Sequence, residues 1–301
     1  MLFPKPLKEV GKMSELSITL IDVGWGDSIL IESISDAGQK YYALVDCNDT
    51  STQRSSYLFV KRFLERRGFD LTLDQRIFDF VLLTHGHADH ANGIQAMMST
   101  FKTDWFWYPK SVDYGGFAKL VSYANRYPQK VNRHQAVDNT KLLPGLGDVS
   151  MHALWPPYTS SGVYDTNNEN NNSIVLVLTL GQVSFLLSGD CEADNWHQIV
   201  GGIPGIPGLV VFQAPHHGAV NGLFDSNGDT PWLDALPAGT RIAMSSHIRP
   251  HNHPAPEVVA ELSTRNIDPF RTDLHYHLTF STDGTLDANG LPRVIEHWSH
   301  S

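Results

Sequence analysis

Three observations predict that this chain folds as a single α/β domain. β-rich runs alternate with helical spacing along most of its 301 residues. The runs fall into two similar halves, in which a strand pair ending in Val45-Asp46 has a rough counterpart in a pair ending in Gly189-Asp190. No Pro/Ser-rich linker parts the halves, so the domain is expected over 14–286, between tails at 1–13 and 287–301.

The elements follow in order. Ile18–Val23 and Ser28–Ser33 read as strands interrupted by the turn-like Gly24-Trp25-Gly26-Asp27, and Tyr41–Asp46 as a third. Leu58, Val60, Phe63 and Leu64 have helical spacing, with Gly68 as a stop. Phe78–Leu83 is a short apolar run of the buried-strand kind, and a helix is expected to begin at Gly93. The stretch from Asp104 to Gly147 reads as irregular and aromatic, and the Asn-rich tract Asn167–Asn172 as a loop. Gly181-Gln182 between two apolar runs signals a hairpin. A helix near 193–200, strands at 209–213 and 241–245, a helix over 256–265 and a strand over 277–281 complete the pattern.

Composition excludes several classes. No apolar run approaches the roughly 20 residues of a membrane span, and the first residues lack the apolar core of a secretory signal. Cys47 and Cys191 are too few for a disulfide framework, so a reduced cytoplasmic protein without membrane attachment is expected. The net charge of −10 argues against indiscriminate coating of nucleic acid. Within it, Lys102, Lys110, Lys119, Arg126, Lys130, Arg133 and Lys141 face only Asp104, Asp113 and Asp138 over one aromatic stretch. Such a mix can track a phosphate backbone and stack bases, which nominates Lys110 and Lys119 as substrate contacts. The alternative is that the aromatics pack the core and the lysines are merely solvated.

The chemistry is expected at Thr84-His85-Gly86-His87-Ala88-Asp89-His90, directly after the buried run. Three imidazoles and a carboxylate converge there only if the chain turns tightly, and Gly86 and Ala88 leave room. Such donors suit zinc, manganese or iron. His85 and His87 can chelate one ion, and Asp89 and His90 a second, so two divalent ions (Zn2+ or Mn2+) are expected. A His-rich surface loop would explain a lone His-x-His, but not the whole string after a strand.

The string resembles the signature of the metallo-β-lactamase superfamily. Within it the best likeness is to the C-terminal hydrolase domain of ComEC-type DNA-uptake proteins and their stand-alone relatives. The likeness is carried by Asp22–Ser28, Val45-Asp46, His85–His90, Asn171-Asn172-Ser173, Leu187–Asp190, Pro215–Gly218, His251–Pro254 and Arg271–Asp273, in that order. It implies a four-layer αββα sandwich. It also implies that Asp190 bridges both ions, that one of His216 and His217 completes the second ion's shell, and that Asn172 lies at the substrate. We assign the ligand role to His216, leaving His217 to substrate or a supporting carboxylate. Asp89 would both ligate and orient the attacking hydroxide. The likeness places His253 near the reaction as a proton donor, phosphate contact or extra ligand, against the plainer reading of solvated loop histidines at 247, 251 and 253.

Two departures stand out. No histidine precedes the hairpin in Asn167–Asn172, which suggests weaker or exchangeable occupancy of the first ion. Trp25 replaces the polar residue usual in the relatives. The expected activity is therefore hydrolysis of a phosphodiester, in nucleic acid or a nucleotide-like ester. A small phosphodiester, a carboxylic ester or a lactam is the alternative on the same site. A non-catalytic binding module would have lost ligands that are all present, and an oxygen-reducing metalloprotein would need a flavin domain for which the chain has no room.

Overall fold

The computed structural model describes residues 13–110, 116–160 and 162–299. The tail expected at 1–13 therefore lies, apart from Met13, outside the described residues.

In the first half, β1 (Glu15–Leu20), β2 (Ile29–Ile34) and β3 (Lys40–Val45) lead into α1 (Ser55–Arg66) and β4 (Phe78–Leu82). The short α2 (Ala88–Ala91), then α3 (Ile94–Phe101), β5 (Thr103–Tyr108), α4 (Phe117–Arg126) and β6 (Val131–Ala136) follow. The second half runs β7 (Ser150–Trp155), β8 (Val175–Leu180), β9 (Val183–Leu187), α5 (Ala193–Ile199) and β10 (Leu209–Gln213). It continues through α6 (Val220–Leu223), α7 (Pro231–Ala235), β11 (Arg241–Met244), α8 (Pro256–Thr264), β12 (Phe270–Arg271) and α9 (Thr272–His275). The strands β13 (His277–Thr282) and β14 (Ile295–Ser299) close the chain.

Two sheets result, in the orders β14-β13-β1-β2-β3-β4-β5-β6 and β12-β11-β10-β9-β8-β7. In each half the first two pairings are antiparallel and the later ones parallel, so β1–β6 and β7–β12 repeat one plan. Parallel strands require cover on both faces, which is why β9 and β10 are buried along their whole length. The apolar alternation of β1 turns Leu16, Ile18 and Leu20 toward Leu176, Leu178 and Phe185, and this middle layer joins the two sheets. Val60 and Leu64 of α1 and Met97 of α3 cover the outer face of the first sheet. Trp196 of α5 and Val258 of α8 cover that of the second. The layers are thus helix, sheet, sheet, helix, the αββα sandwich expected.

Two expectations fail. The stretch read as irregular holds β5, α4 and β6, because Phe106 and Trp107 are core residues and Lys102 is buried in an ion pair with Asp74. Phe80 stacks on Trp107 with centroids 4.5 Å apart, a contact that contributes about 0.5–1.5 kcal/mol beyond burial. The segment read as a C-terminal tail supplies the edge strand β14, paired with β13 from Ile295 to Ser299. Cys47 and Cys191 are both free and buried.

Candidate metal centre and cleft

The loops that carry chemistry leave the carboxyl ends of β4, β9, β10 and β11, where open α/β sheets place ligands. After β4 the chain turns through His85 and His87 into α2, which presents Asp89 and His90. After β9, Gly189 takes φ +52° and sends the Asp190 carboxylate to the same point. After β10, His216, His217 and Gly218 all have positive φ, at 52°, 56° and 80°. This left-handed run is costly for residues with a Cβ, and it answers how adjacent histidines can face one point. A Cβ on Gly218 would lie 2.7 Å from that of Pro254, so the turn closes only with glycine there.

Asp190 is the hub. Its Oδ2 lies 3.2 Å from His90 Nε2 and 3.8 Å from both His85 Nε2 and His216 Nε2, while Oδ1 lies 3.5 Å from His217 Nε2. Asp89 Oδ2 stands 3.4 Å from His217 Nε2 and 3.7 Å from His90 Nε2. His85 Nε2 and His87 Nδ1 are 3.0 Å apart. His85, His87, Asp89, His90, Asp190 and His216, the residues nominated as metal ligands, thus meet in one place. His217, assigned to substrate, proves the more deeply buried of the histidine pair. With Asp27, His90 and Asp190 it forms a group whose ligand atoms lie within 4.8 Å of one another, a candidate metal-binding group.

The donor atoms fit a cation. His90 Nε2, His217 Nε2 and Asp190 Oδ1 are buried without a hydrogen-bond partner, an arrangement that is costly unless something else satisfies them. Each imidazole is also held from behind. Asp46 accepts from His90 Nδ1 at 2.7 Å and from Thr84 N and Oγ1 at 2.7 and 2.6 Å. The Ser245 carbonyl lies 3.0 Å from His217 Nδ1. Such outer contacts leave Nε2 of each ring for the ion. The electrostatics agree. Burial opposes charge on His90 and His217, but the surrounding carboxylates, Asp190 foremost, outweigh it and hold both rings well above the usual imidazole range. Burial would likewise raise Asp190, yet His217, His90 and His216 hold it well below the usual carboxylate range. The cluster calls for positive charge, which protons supply until a cation displaces them.

Supporting residues escaped the sequence reading. Asp27, whose Oδ2 accepts from Gln213 Nε2 at 2.7 Å, lies 3.8 Å from His90 Nδ1. Glu169 accepts from Gly86 N at 2.9 Å and from Asn172 Nδ2 at 3.0 Å. Asp27 and Asp46 had legible signs, since both lie in stretches that carry the family likeness, but nothing in the sequence assigns either a role. Glu169 and Gln213 carried no sign of their own.

An open cleft of about 490 Å³ lies over the cluster, lined by Trp25, His87, Asp89, Asp190, His216, His217, Val220, Asn221, His247, His251 and His253, among others. His253, nominated as catalytic, therefore faces the site. Burial first, then the His217 and His216 charges, push it down to about 4, so its ring is neutral at pH 7. Asn172 does not reach substrate. It is fully buried, with Nδ2 bound to Asp165 O and Glu169 Oε2 and Oδ1 accepting from Asp165 N, which commits its amide to the loop. Lys110 and Lys119 are exposed, and neither lines the cleft. Lys110 lies 5.7 Å over the Tyr158 ring. Of the aromatics expected to stack bases beside them, Phe106 and Trp107 are interior, whereas Trp105, Phe117, Tyr123 and Tyr127 are half-buried.

Fold and site together define a metal-dependent hydrolase, and the chain belongs to the metallo-beta-lactamase superfamily, whose profile matches residues 19–230. It is 24% identical over 273 residues to ComE operon protein 3 of Bacillus subtilis, covering 86% of this chain and 32% of that protein. It is 22% identical over 286 residues to competence protein ComA of Neisseria gonorrhoeae, covering 95% and 35% respectively. The chain thus spans about a third of the length of these curated relatives. Among solved structures, CmlA, a diiron beta-hydroxylase from Streptomyces venezuelae, shares the fold at a TM-score of 0.50 and 15% identity, over 92% of this chain and 55% of CmlA. No helix among the described residues is long and apolar enough to cross a membrane.

Proposed function

We propose that the protein hydrolyses phosphodiesters, in nucleic acid or in nucleotide-like esters, with two divalent ions (Zn2+ or Mn2+). One observation carries the reading: imidazoles from both halves converge on Asp190 at the floor of a cleft, where His90 Nε2, His217 Nε2 and Asp190 Oδ1 are otherwise unpartnered. His85, His87 and His216 with Asp190 would hold one ion. Asp89, His90 and His217 with Asp190 would hold the other. Bound ions of this kind supply an activated water at neutral pH and offset charge on the attacked group.

The chain's own residues do the rest. Asp46 and the Ser245 carbonyl fix the tautomers and angles of His90 and His217. Asp89, with a carboxylate oxygen at the cleft floor, orients the attacking water. His253, neutral and lining the cleft, offers the substrate a hydrogen bond. The likeness to ComEC-type hydrolase domains, and relatives of which one is named as a competence protein, favour nucleic acid. The net charge of −10 and the interior placement of Phe106 and Trp107 favour a small phosphodiester instead.

The test is to measure bound metal and then assay the metal-replete protein. The panel comprises a chromogenic phosphodiester, single- and double-stranded DNA, RNA, cyclic nucleotides and a lactam, with Asp89→Ala beside each. Cleavage of a phosphodiester that Asp89→Ala loses is expected. Equal cleavage by both proteins, or hydrolysis of the lactam alone, would overturn the reading.

A further inference from the structure

We infer that Trp25 is a stacking platform for a nucleobase of the substrate, seating a nucleotide beside the scissile phosphodiester; this rests on the phosphodiesterase reading above. Trp25 is a large aromatic residue 36% exposed, in a chain that buries Trp107, Trp196 and Trp232. It lines the cleft over the metal group. Its contact with His251 is T-shaped, with centroids 5.2 Å apart and planes at 65°, so the imidazole does not lie stacked on the indole. His251 in turn lies 5.9 Å from His253, and His253 lies 5.9 Å from His216. A row of rings therefore leads from the cleft mouth to the metal floor.

The platform is also held in place. The Trp25 carbonyl accepts from Asn48 Nδ2, and the Val23 carbonyl from Gln53 Nε2 at 2.8 Å. Asp27 N donates to the Asp89 carbonyl at 3.2 Å. A Cβ on Gly26 would stand 2.4 Å from that same oxygen, so the loop carrying Trp25 lies directly on the loop carrying Asp89. An indole fixed in register with the reacting centre loses little freedom when a base stacks on it. Every base offers a π-face, so such a contact favours nucleotides without reading sequence.

The experiment compares wild type, Trp25→Ala and Trp25→Phe on a short labelled oligothymidylate and on the same backbone with abasic sugars. Binding is read by fluorescence anisotropy with zinc-supplemented protein, using phosphorothioate linkages so that neither oligomer is cut. Trp25→Ala should weaken the base-bearing oligomer about ten-fold and leave the abasic one unchanged, and Trp25→Phe should restore most of the affinity. Equal effects on both oligomers, no effect on either, or no binding of oligothymidylate by wild type would overturn the platform. Cleavage of the ordinary phosphodiester oligomers is scored separately. If wild type shows the base-dependent binding but cleaves neither these oligomers nor any phosphodiester of the panel above, the hydrolytic reading fails and the platform stands.

Discussion

Asp46 and Asp190 occupy similar places in the two halves, the first one residue and the second three residues beyond the strand that closes an antiparallel pair and opens the parallel run. Their environments differ. Asp46 is wholly enclosed and fully engaged, holding Thr84 through two bonds and His90 through a third. Asp190 keeps an oxygen without any partner and faces imidazoles from both halves. One carboxylate braces a ligand and the other offers itself as one. The position in the fold delivers an acid to the seam; the number of hydrogen-bond donors waiting there decides what the acid does.

The comparison can be broken by substitution. The largest effect is expected for Asp190→Asn, which keeps volume but removes the shared charge. Metal content by elemental analysis should collapse and hydrolysis should fall to background, with the circular dichroism of the folded protein retained. Retained metal would make Asp190 no hub. Next comes Asp46→Asn. An amide facing His90 Nδ1 can donate to it, shifting the ring proton to Nε2, the atom needed for the ion. Metal affinity or activity should fall about 10–100-fold while Asp190 is untouched, and an unchanged dissociation constant would deny Asp46 its bracing role.

A smaller change is expected for Gln213→Leu, which strips Asp27 Oδ2 of its donor. A destabilisation of about 1–3 kcal/mol should appear in chemical denaturation, and no shift in midpoint would show that Asp27 finds another partner. Smallest is the pair Lys110→Ala with Lys119→Ala, which asks whether the first half also supplies phosphate contacts. The salt dependence of polynucleotide binding should flatten by about one unit for each lysine that pairs with a phosphate, with a small ester unaffected. Equal weakening on both substrates would remove these lysines from the binding surface.

Legibility in the sequence followed how local the signal was. The hairpin of β8 and β9 and the buried strand β4 were readable because apolar runs and a Gly-Gln turn sit within a few residues. The strand β5 was not, since Lys102 before it and Trp105 within it suggested a surface, and only Asp74 and Arg133 explain them: the former pairs with the lysine, the latter lies 5.1 Å over the indole. The edge strand β14 is half-exposed and lacks an apolar face to announce it. At the site, the histidine string was legible because its donors all fall between positions 85 and 90. Gln213 and Asp27 stand 186 positions apart, and no spacing rule links them. Asn172 misled for the converse reason: its neighbours, not its residue type, commit its amide to the inside of the loop.

The ligand atoms come from the loop after β4 on one side and from the loops after β9 and β10 on the other, so neither half of the polypeptide possesses the donor set alone. A nascent or partly unzipped chain offers an ion only part of that set. Full metal binding would therefore come late in assembly, and each ion bound would act as a rivet across the two sheets, adding to their cohesion in proportion to the logarithm of its free concentration.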